Sequence, residues 1–351
     1  MRPHPILAAT AAALLCASLA SCASQEEDPR DAADPPADAA VEPPTEEADE
    51  SSPPPSEDPV EENPFGTPVG WAGEPLQRDG EDHPGVVGGA DGETVTASDT
   101  DELADHLSDE EPLTIEVSGS IDLDGAMEVG SDKTLVGVGE GVELTGGRLV
   151  VDGSSNVILA NLGLEADGTA VAVRGGAHHV WVDGSTLTGG GDDDALITVT
   201  EGADNVTLSW NHFRDAESAI SIGGGDDGPG ALRVTVHHNY FDGTSGRHPS
   251  ARFADHVHVF NNYYRANPEY GVRSTHDANV LVEGNYFDGT PLSVAPEEEE
   301  PGNVVTRDNL LVDSAQPDLR GAVPDPPYAY ELDDTSTVPD VVAEGAGSDA
   351  P

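Results

Sequence analysis

Short runs of Val, Ile and Leu recur along the chain between about residues 65 and 323, and Gly, Asp or Asn closes each run. Runs this brief, bounded by turn-forming residues, predict short β-strands. The exception is residues 99–107, whose apolar spacing predicts one short helix that Ser98 or Thr100 caps. The pattern therefore predicts a domain made almost entirely of strands.

A longer repeat overlies these strands. The segments NVTLSWNHF, RVTVHHNYF, HVHVFNNYY and NVLVEGNYF align on one asparagine each, and HVWVDGSTL is a weaker copy with Ser185 at that place. A repeat of this length with several strands and no helices predicts a β-solenoid, whereas an antiparallel sandwich or jelly roll has no such period. In a solenoid, the amides would pair backbone groups of neighbouring coils and the following aromatic rings would stack. The aligned residues are Asn211, Asn239, Asn262 and Asn285.

The N-terminal segment has the pattern of an export signal. Arg2 precedes an apolar Ala/Leu stretch that ends in Leu-Ala-Ser-Cys at Cys22. The stretch is too short for a membrane span, and small residues end it, as in a secretory signal. Its ending resembles a bacterial lipobox, which implies cleavage before Cys22 and lipidation of its thiol; an ordinary signal peptide with an incidental cysteine is the alternative. Because Cys16 lies within the signal, the mature chain forms no internal disulfide.

Composition divides the rest of the chain into three parts. Residues 23–64 are rich in Pro, Glu, Asp, Ala and Ser, and such a segment cannot bury enough apolar surface to order itself, so we predict a disordered tether. Residues 65–325 form the predicted folded domain. Residues 326–351 form an acidic, Gly/Pro-rich tail.

The formal net charge is −54, and Lys133 is the only lysine beside 13 arginines. This surface suggests adaptation to high salt, with an acidic cation-binding surface as the alternative. We expect a monomer without a nucleic-acid partner, which contacts a membrane only through a lipid at Cys22 and is displayed outside the cell.

Against this acidic background, one loop concentrates positive charge. The stretch VHHNYFDGTSGRHPSARFADHVHVFNNYY holds Arg247, Pro249 and Arg252 between two predicted strands. Two arginines on such a loop predict a site for an anionic ligand, and a salt-bridged loop is the alternative. The guanidinium group binds a carboxylate through two parallel hydrogen bonds.

From about residue 88 to 296, the sequence resembles the pectate lyase family of right-handed parallel β-helices. The resemblance rests on GETVTASDTDELADHL, VSGSIDL and SDKTLVGVGEGVEL near the start, on the Asn repeats, and on the R-x-P-x-x-R loop. It implies an all-β fold, a right-handed parallel β-helix with one short N-terminal capping helix. It also implies cleavage of 1,4-linked polygalacturonate by β-elimination.

The resemblance assigns roles to three arginines. Arg247 matches the base that removes the C5 proton, Arg252 matches a carboxylate-binding arginine, and Arg273 resembles a third substrate contact. Arginine is ordinarily protonated, so a base role requires nearby cations and desolvation that make the neutral form accessible. The developing negative charge requires cations or a metal to stabilise it.

Two departures from the family pattern bear on activity. Ser218 stands where the family has a substrate-binding lysine, and Arg214 compensates only if the backbone differs. The family's Ca²⁺-binding carboxylates match Asp167 and Asp194, but Thr169 and Thr198 occupy the other two positions. The acidic residues proposed in their place are Asp192, Asp193, Asp226 and Asp227.

Three functions therefore remain open at this stage. The first is a surface-tethered lyase acting on polygalacturonate or a related uronate polymer, with Ca²⁺ as its cofactor or, as in the pectin lyase branch, without it. The second is a non-catalytic β-helix lipoprotein that binds acidic glycans. The third is a β-helix hydrolase, for which Asp193 and Asp194 are the candidate carboxylates.

Overall fold

The computed structural model describes residues 66–191, 194–225 and 227–348. The predicted signal peptide with Cys22, the predicted tether, and the candidate metal ligands Asp192, Asp193 and Asp226 lie outside the described residues. The described part contains a 3₁₀ turn at Trp71–Gly73 and two helices, α1 (Thr100–Ser108) and α2 (Val338–Gly345).

The strands are β1 (Leu76–Arg78), β2 (Glu81–His83), β3 (Glu93–Ala97), β4 (Leu113–Val117), β5 (Ser120–Glu128), β6 (Lys133–Gly137), β7 (Glu143–Asp152), β8 (Ser155–Ala160), β9 (Gly163–Ala166), β10 (Val171–Arg174), β11 (His178–Asp183), β12 (Thr186–Gly189), β13 (Ala195–Val199), β14 (Asp204–Ser209), β15 (His212–Arg214), β16 (Ser218–Ile222), β17 (Arg233–His237), β18 (Tyr240–Asp242), β19 (Ser250–Arg252), β20 (His256–Phe260), β21 (Tyr263–Arg265), β22 (Arg273–Thr275), β23 (Asn279–Glu283), β24 (Tyr286–Asp288), β25 (Asn303–Arg307) and β26 (Leu310–Val312).

Strands β1 and β2 pair as a separate antiparallel hairpin, and the strands from β3 onward form the three faces of a parallel β-helix. The first face runs β3-β4-β6-β8-β11-β14-β17-β20-β23-β25. The long strand β7 belongs to the other two, because its start pairs with β9 and its end pairs with β10. The second face continues from β9 through β12, β15, β18, β21 and β24 to β26, and the third continues from β10 through β13, β16 and β19 to β22. The solenoid predicted from the repeat is confirmed, and the antiparallel sandwich is excluded.

The core is built from columns of apolar side chains that stack in register from coil to coil. On the first face, in-register valines from five successive coils are fully buried, each above the next. Removing these apolar surfaces from water drives the coils to stack. The column consists of Val180, Val206, Val234, Val257 and Val280.

The asparagine ladder predicted from the repeat is confirmed. The Asn239 N–H donates to Asn262 Oδ1 at 2.9 Å, and Asn262 Nδ2 donates to the Val236 carbonyl at 2.8 Å. Ser185 begins the ladder by accepting at its Oγ, and Asn309 extends it by one coil. Each rung satisfies backbone groups at the turn between the first and second faces.

The aromatic residues after these asparagines stack as expected. Ring centroids are 5.1, 4.9 and 4.2 Å apart along the interior column Phe213, Phe241, Tyr264 and Phe287. A flat ring column packs well because identical positions repeat at the spacing of parallel strands.

Helix α1 covers the N-terminal end of the core, where Leu103 and Leu107 are buried. Its N-cap is Asp99, whose carboxylate accepts the Glu102 N–H at 2.9 Å. The prediction that Ser98 or Thr100 caps this helix was therefore wrong. Asp99 is the better cap because its carboxylate is a charged acceptor at the positive end of the helix.

The C-terminal segment differs from the expected tail. Tyr328 is buried and lies 2.8 Å from Thr235 through their hydroxyl oxygens, and α2 buries Val338 and Val342 against a tyrosine pair of the second face. The acidic composition concealed these few apolar and aromatic anchors. Packing consequently extends to Ser348 rather than ending near residue 325. Neither α1 nor α2, the two α-helices of the described residues, has the length and apolar character needed to cross a membrane.

Candidate active site

The third face carries a polar cleft of about 630 Å³ that contains all three predicted arginines. It forms across β16, β19 and β22, where Ser221 pairs with Ser250 and Ser250 pairs with Arg273. Side chains of one outward row therefore come from three successive coils, about 5 Å apart. The lining residues are Glu217, Ser218, Ser221, Gly223, Ser245, Arg247, Ser250, Arg252, Glu269, Tyr270, Arg273, Thr275, His276, Glu297, Glu299 and Glu300.

Arg247 lies in the turn that leads into β19. Its backbone is in the left-handed region, with φ of 60°, and its carbonyl accepts the Ile220 N–H at 2.7 Å. A non-glycine residue holds this conformation only where its surroundings fix it. The half-buried side chain is thereby set at the cleft by main-chain contacts to β16.

His248 anchors this turn from inside the coil. Its Nδ1 lies 2.9 Å from the Tyr270 carbonyl, and its Nε2 lies 2.8 Å from Thr244 Oγ1. A carbonyl only accepts, so Nδ1 carries the proton and Nε2 accepts from the threonine hydroxyl. Burial lowers the pKa of His248 to about 4, although its backbone hydrogen bonds oppose the shift. His248 is therefore a neutral, fully buried imidazole next to Arg247 in the chain.

Arg252 is the central cation of the cleft. Its Nη2 lies 3.1 Å from His276 Nε2, and its guanidinium carbon lies 5.7 Å from the centre of the Phe253 ring. Its Nε is buried and has no hydrogen-bond partner among the described residues. One N–H of the fork is thus left for an acceptor that the protein does not supply.

Arg273 lies one coil further on and repeats this arrangement. Its Nη2 lies 2.5 Å from Glu297 Oε2. The hydrogen bond to Glu297 raises the pKa of Arg273, and the same bond lowers the pKa of Glu297. The Nε of Arg273 is again buried without a partner among the described residues.

The two unpaired Nε–H groups give the cleft its chemistry. A buried donor without an acceptor costs about 1–3 kcal/mol, and more when it is charged. Arg252 and Arg273 come from adjacent coils and both line the cleft, so the cleft presents two guanidinium groups to an anionic ligand. The arrangement suits a carboxylate.

Within the described residues, no further cation joins the three arginines to replace the lysine that the family has at Ser218. Ser218 is buried at the start of β16 and lines the cleft. Arg214 instead lies on β15 of the second face, where it pairs with Asp215 at 3.1 Å and lines a different cleft. Among the described residues, the cleft's arginines are therefore Arg247, Arg252 and Arg273.

Asp167 and Asp194 both line a separate, shallower depression of about 260 Å³, and Thr169 lines it with them. Arg148 lines this depression too, and within the described residues no three His, Cys, Asp or Glu side chains come close enough to hold a metal ion. Thr198 belongs to the row of Ser221. Two carboxylates beside an arginine are a poor donor set for Ca²⁺, which takes six to eight oxygens. The described residues do not fit this ion.

Sequence reasoning missed the acidic wall of the main cleft. Glu217, Glu269, Glu297, Glu299 and Glu300 all line it. The run of four glutamates at 297–300 was visible, but a charge run usually marks a solvated loop. Only the stacking of coils brings it beside Arg273.

Known proteins share this architecture. A family model described as pectate lyase matches residues 70–348. A pectate trisaccharide-lyase of Bacillus licheniformis is 29% identical over 290 aligned residues, covering 75% of this chain and 83% of that protein. Pectate lyase plyB of Emericella nidulans is 37% identical over 220 residues, covering 59% of this chain and 67% of that protein.

A solved structure agrees with the sequence relatives. A pectate lyase of a Bacillus species, in complex with trigalacturonate, aligns with a TM-score of 0.70 at 26% identity, over 80% of this chain and 98% of that one. The family match covers most of the chain, including the arginine cleft and both helices. The chain therefore belongs to the pectate lyase family of polysaccharide lyases.

Proposed function

We propose that this protein cleaves polygalacturonate, or a related uronate polymer, by β-elimination with Arg247 as the base. One observation carries the proposal: Arg247, Arg252 and Arg273 line one cleft, and two of them hold buried Nε–H groups without acceptors among the described residues. A uronate carboxylate supplies those acceptors. The family relatives, named as pectate lyases, support the reaction class.

In this reaction Arg252 binds the uronate carboxylate and Arg247 removes the neighbouring C5 proton. The C5 electron pair becomes the C4–C5 double bond as the C4–O4 bond breaks, and O4 takes up a proton from solvent as it leaves with the remainder of the chain. The carboxylate gains negative charge as the proton departs, so a guanidinium that binds it more tightly at that point accelerates the step.

No step of this scheme runs through Ca²⁺, because the described carboxylates do not fit the ion. In the described cleft, Arg252 and Arg273 are the cations that bind the substrate carboxylate and stabilise its added negative charge. Absence of a lysine at Ser218 favours a second candidate, a β-helix that binds acidic glycans without cleaving them. One cation fewer in the carboxylate clamp lowers transition-state stabilisation.

An ultraviolet assay of the 4,5-unsaturated product separates these candidates. Protein lacking residues 1–22 is incubated in molar NaCl with polygalacturonate or methylated pectin, each with Ca²⁺ or a chelator. We expect absorbance to rise on at least one polymer. Folded protein that binds the polymer and yields no unsaturated product would instead support the non-catalytic candidate.

We also propose that the protein is exported and held at the outer surface by a lipid on Cys22. The support is the Leu-Ala-Ser-Cys ending of the apolar segment. In a bacterial host, the full chain is expected in the membrane fraction and Cys22→Ala is expected outside it. Equal membrane association of both would contradict lipidation at this residue.

A further inference from the structure

An acidic segment, Glu297 to Glu300, forms one wall of the arginine cleft. Glu297 pairs with Arg273, and Glu300 contacts His276 through its carboxylate. Glu298, Glu299 and Glu300 are all exposed, but only Glu299 and Glu300 line the cleft with Glu297.

The main chain fixes this segment in place. The His276 N–H donates to the Glu300 carbonyl at 2.7 Å, and Pro301 bridges to Thr275 at the end of β22. At the other end, Arg320 Nη1 donates to the Glu297 carbonyl at 2.8 Å. The backbone of the segment is therefore held beside β22, which keeps its glutamates at the wall of the cleft.

Arg273 and the neighbouring Arg252 and His276 side chains consequently already have protein carboxylates close to them. Glu297 holds Arg273, and Glu300 touches the same His276 Nε2 that lies 3.1 Å from Arg252 Nη2. Within the described residues, five glutamates line the cleft against three arginines. The cleft accepts a carboxylate at its centre but is negative at its wall.

A polymer with a carboxylate on every sugar meets this wall with like charge. Like-charge juxtaposition in a binding cleft suppresses the wrong partner, whereas a neutral methyl ester at the same place carries no such repulsion. The favoured substrate therefore presents a free carboxylate to Arg252 and esterified units to the glutamates.

We propose that Glu299 and Glu300 are specificity-determining residues that make the cleft prefer partially methyl-esterified uronate polymers over fully de-esterified ones. The proposal rests on the lyase function proposed above. It assigns the acidic segment to substrate selection, while Arg247 and Arg252 act on the reacting unit.

The test compares Glu300→Gln with Glu298→Gln, which removes the same charge from a neighbouring residue outside the cleft. The quantity is the ratio of kcat/KM on polygalacturonate to kcat/KM on partially methylated pectin, at low salt and in molar NaCl. Glu300→Gln is expected to raise this ratio about threefold or more at low salt, and Glu299→Gln likewise. The gain shrinks in molar NaCl, where charges are screened within about 3 Å. Glu298→Gln is expected to leave the ratio unchanged.

Each other outcome overturns the proposal. An unchanged ratio in Glu299→Gln and Glu300→Gln, with unsaturated product formed, refutes the specificity role and leaves the lyase function standing. An equal rise in Glu298→Gln shows an effect of overall charge alone. No unsaturated product from the folded wild-type protein on either polymer overturns the lyase function and this proposal with it.

Discussion

At the scale of single residues, the cleft takes its cations from arginine because the chain's one lysine is used elsewhere. Lys133 is fully buried, and its Nζ donates to the carbonyls of Glu111 and Ser131 at 2.8 Å each. Burial lowers the pKa of Lys133 despite nearby carboxylates. A planar guanidinium is the better group for a uronate, since it offers two parallel donors where an ammonium offers a point charge.

His248 gives the first prediction at this scale, a pH dependence of stability. Its pKa is about 4 in the folded protein, below the ordinary 6.5, so the unfolded chain binds the extra proton between these values. The stability that neutral His248 provides is thus complete above about pH 6.5 and is lost as pH falls toward 4. The total is about 3 kcal/mol.

The measurement is urea unfolding of the wild type and of His248→Asn, which does not titrate, at steps from pH 7.5 to 4. The difference in unfolding free energy between the two proteins is expected to shrink by about 1.4 kcal/mol per pH unit below 6.5. The other buried histidines are common to both proteins and cancel. A difference that stays constant with pH would show that His248 is not a neutral buried group.

Residue roles were predictable only in part. Arg247 and Arg252 stand out in the sequence because cations are scarce in it, and the motif around them is specific. Arg273 and Glu297 meet across 24 positions of the chain. That contact depends on the number of residues in one coil, so no local pattern announces it.

At the scale of elements, the asparagine ladder holds the turn between the first two faces. Asn262 Nδ2 donates to the carbonyls of Val236 and Phe260, and Asn262 Oδ1 accepts the Asn239 N–H, all at 2.8–3.0 Å. The Asn262 backbone N–H donates to Asn285 Oδ1 at 2.9 Å. Every partner is buried, so the Asn262 side chain provides the hydrogen bonds that water cannot provide to these backbone groups.

We predict that Asn262→Ala lowers the free energy of unfolding by roughly 3 kcal/mol or more, because it leaves at least two buried backbone groups unpaired. Asn309→Ala at the end of the ladder is the matched control, with an expected loss of about 1 kcal/mol because Asn309 is itself half-buried and water enters the space that its side chain leaves. Urea denaturation provides both values. Equal losses at the two positions would contradict a cooperative internal ladder.

The sequence indicated the ladder and the strands because their period is regular. It did not indicate that the ladder reaches Asn309, where the following pair is Leu310-Leu311 rather than aromatic. It also misplaced the cap of α1, since Ser98, Asp99 and Thr100 are all good capping residues and only the geometry chooses among them.

At the scale of the whole molecule, the C-terminal segment closes a buried polar chain. His258 lies 2.9 Å from both Tyr328 Oη and Glu283 Oε1, and Tyr330 Oη donates to the same carboxylate oxygen. Burial lowers the pKa of His258, so a neutral ring accepts from Tyr328 and donates to Glu283. Composition alone suggested an unpacked tail, because low average hydropathy hides a few well-placed aromatic rings.

The β-helix itself was predictable, since stacking of repeats is a property of the chain's period. Which face becomes the binding surface was not. Strands of the first face such as β14 and β20 are buried along their whole length, and only the structure shows which face stays open. The structure sets the arginines on the third face by register, with Ser221, Ser250 and Arg273 in one row. The position of the candidate site thus depends on the number of residues in each coil as well as on the R-x-P-x-x-R motif.

Arg247 as the base is the central claim, and the most direct test is the rate of unsaturated-product formation by Arg247→Ala. Arg214→Ala, which removes an exposed arginine of the second face, is the matched control. Arg247→Ala is expected to lose about a thousandfold or more in rate with an unfolding midpoint near that of the wild type, and Arg214→Ala to keep its activity. An Arg247→Ala protein that forms product at the wild-type rate would contradict the assignment of the base.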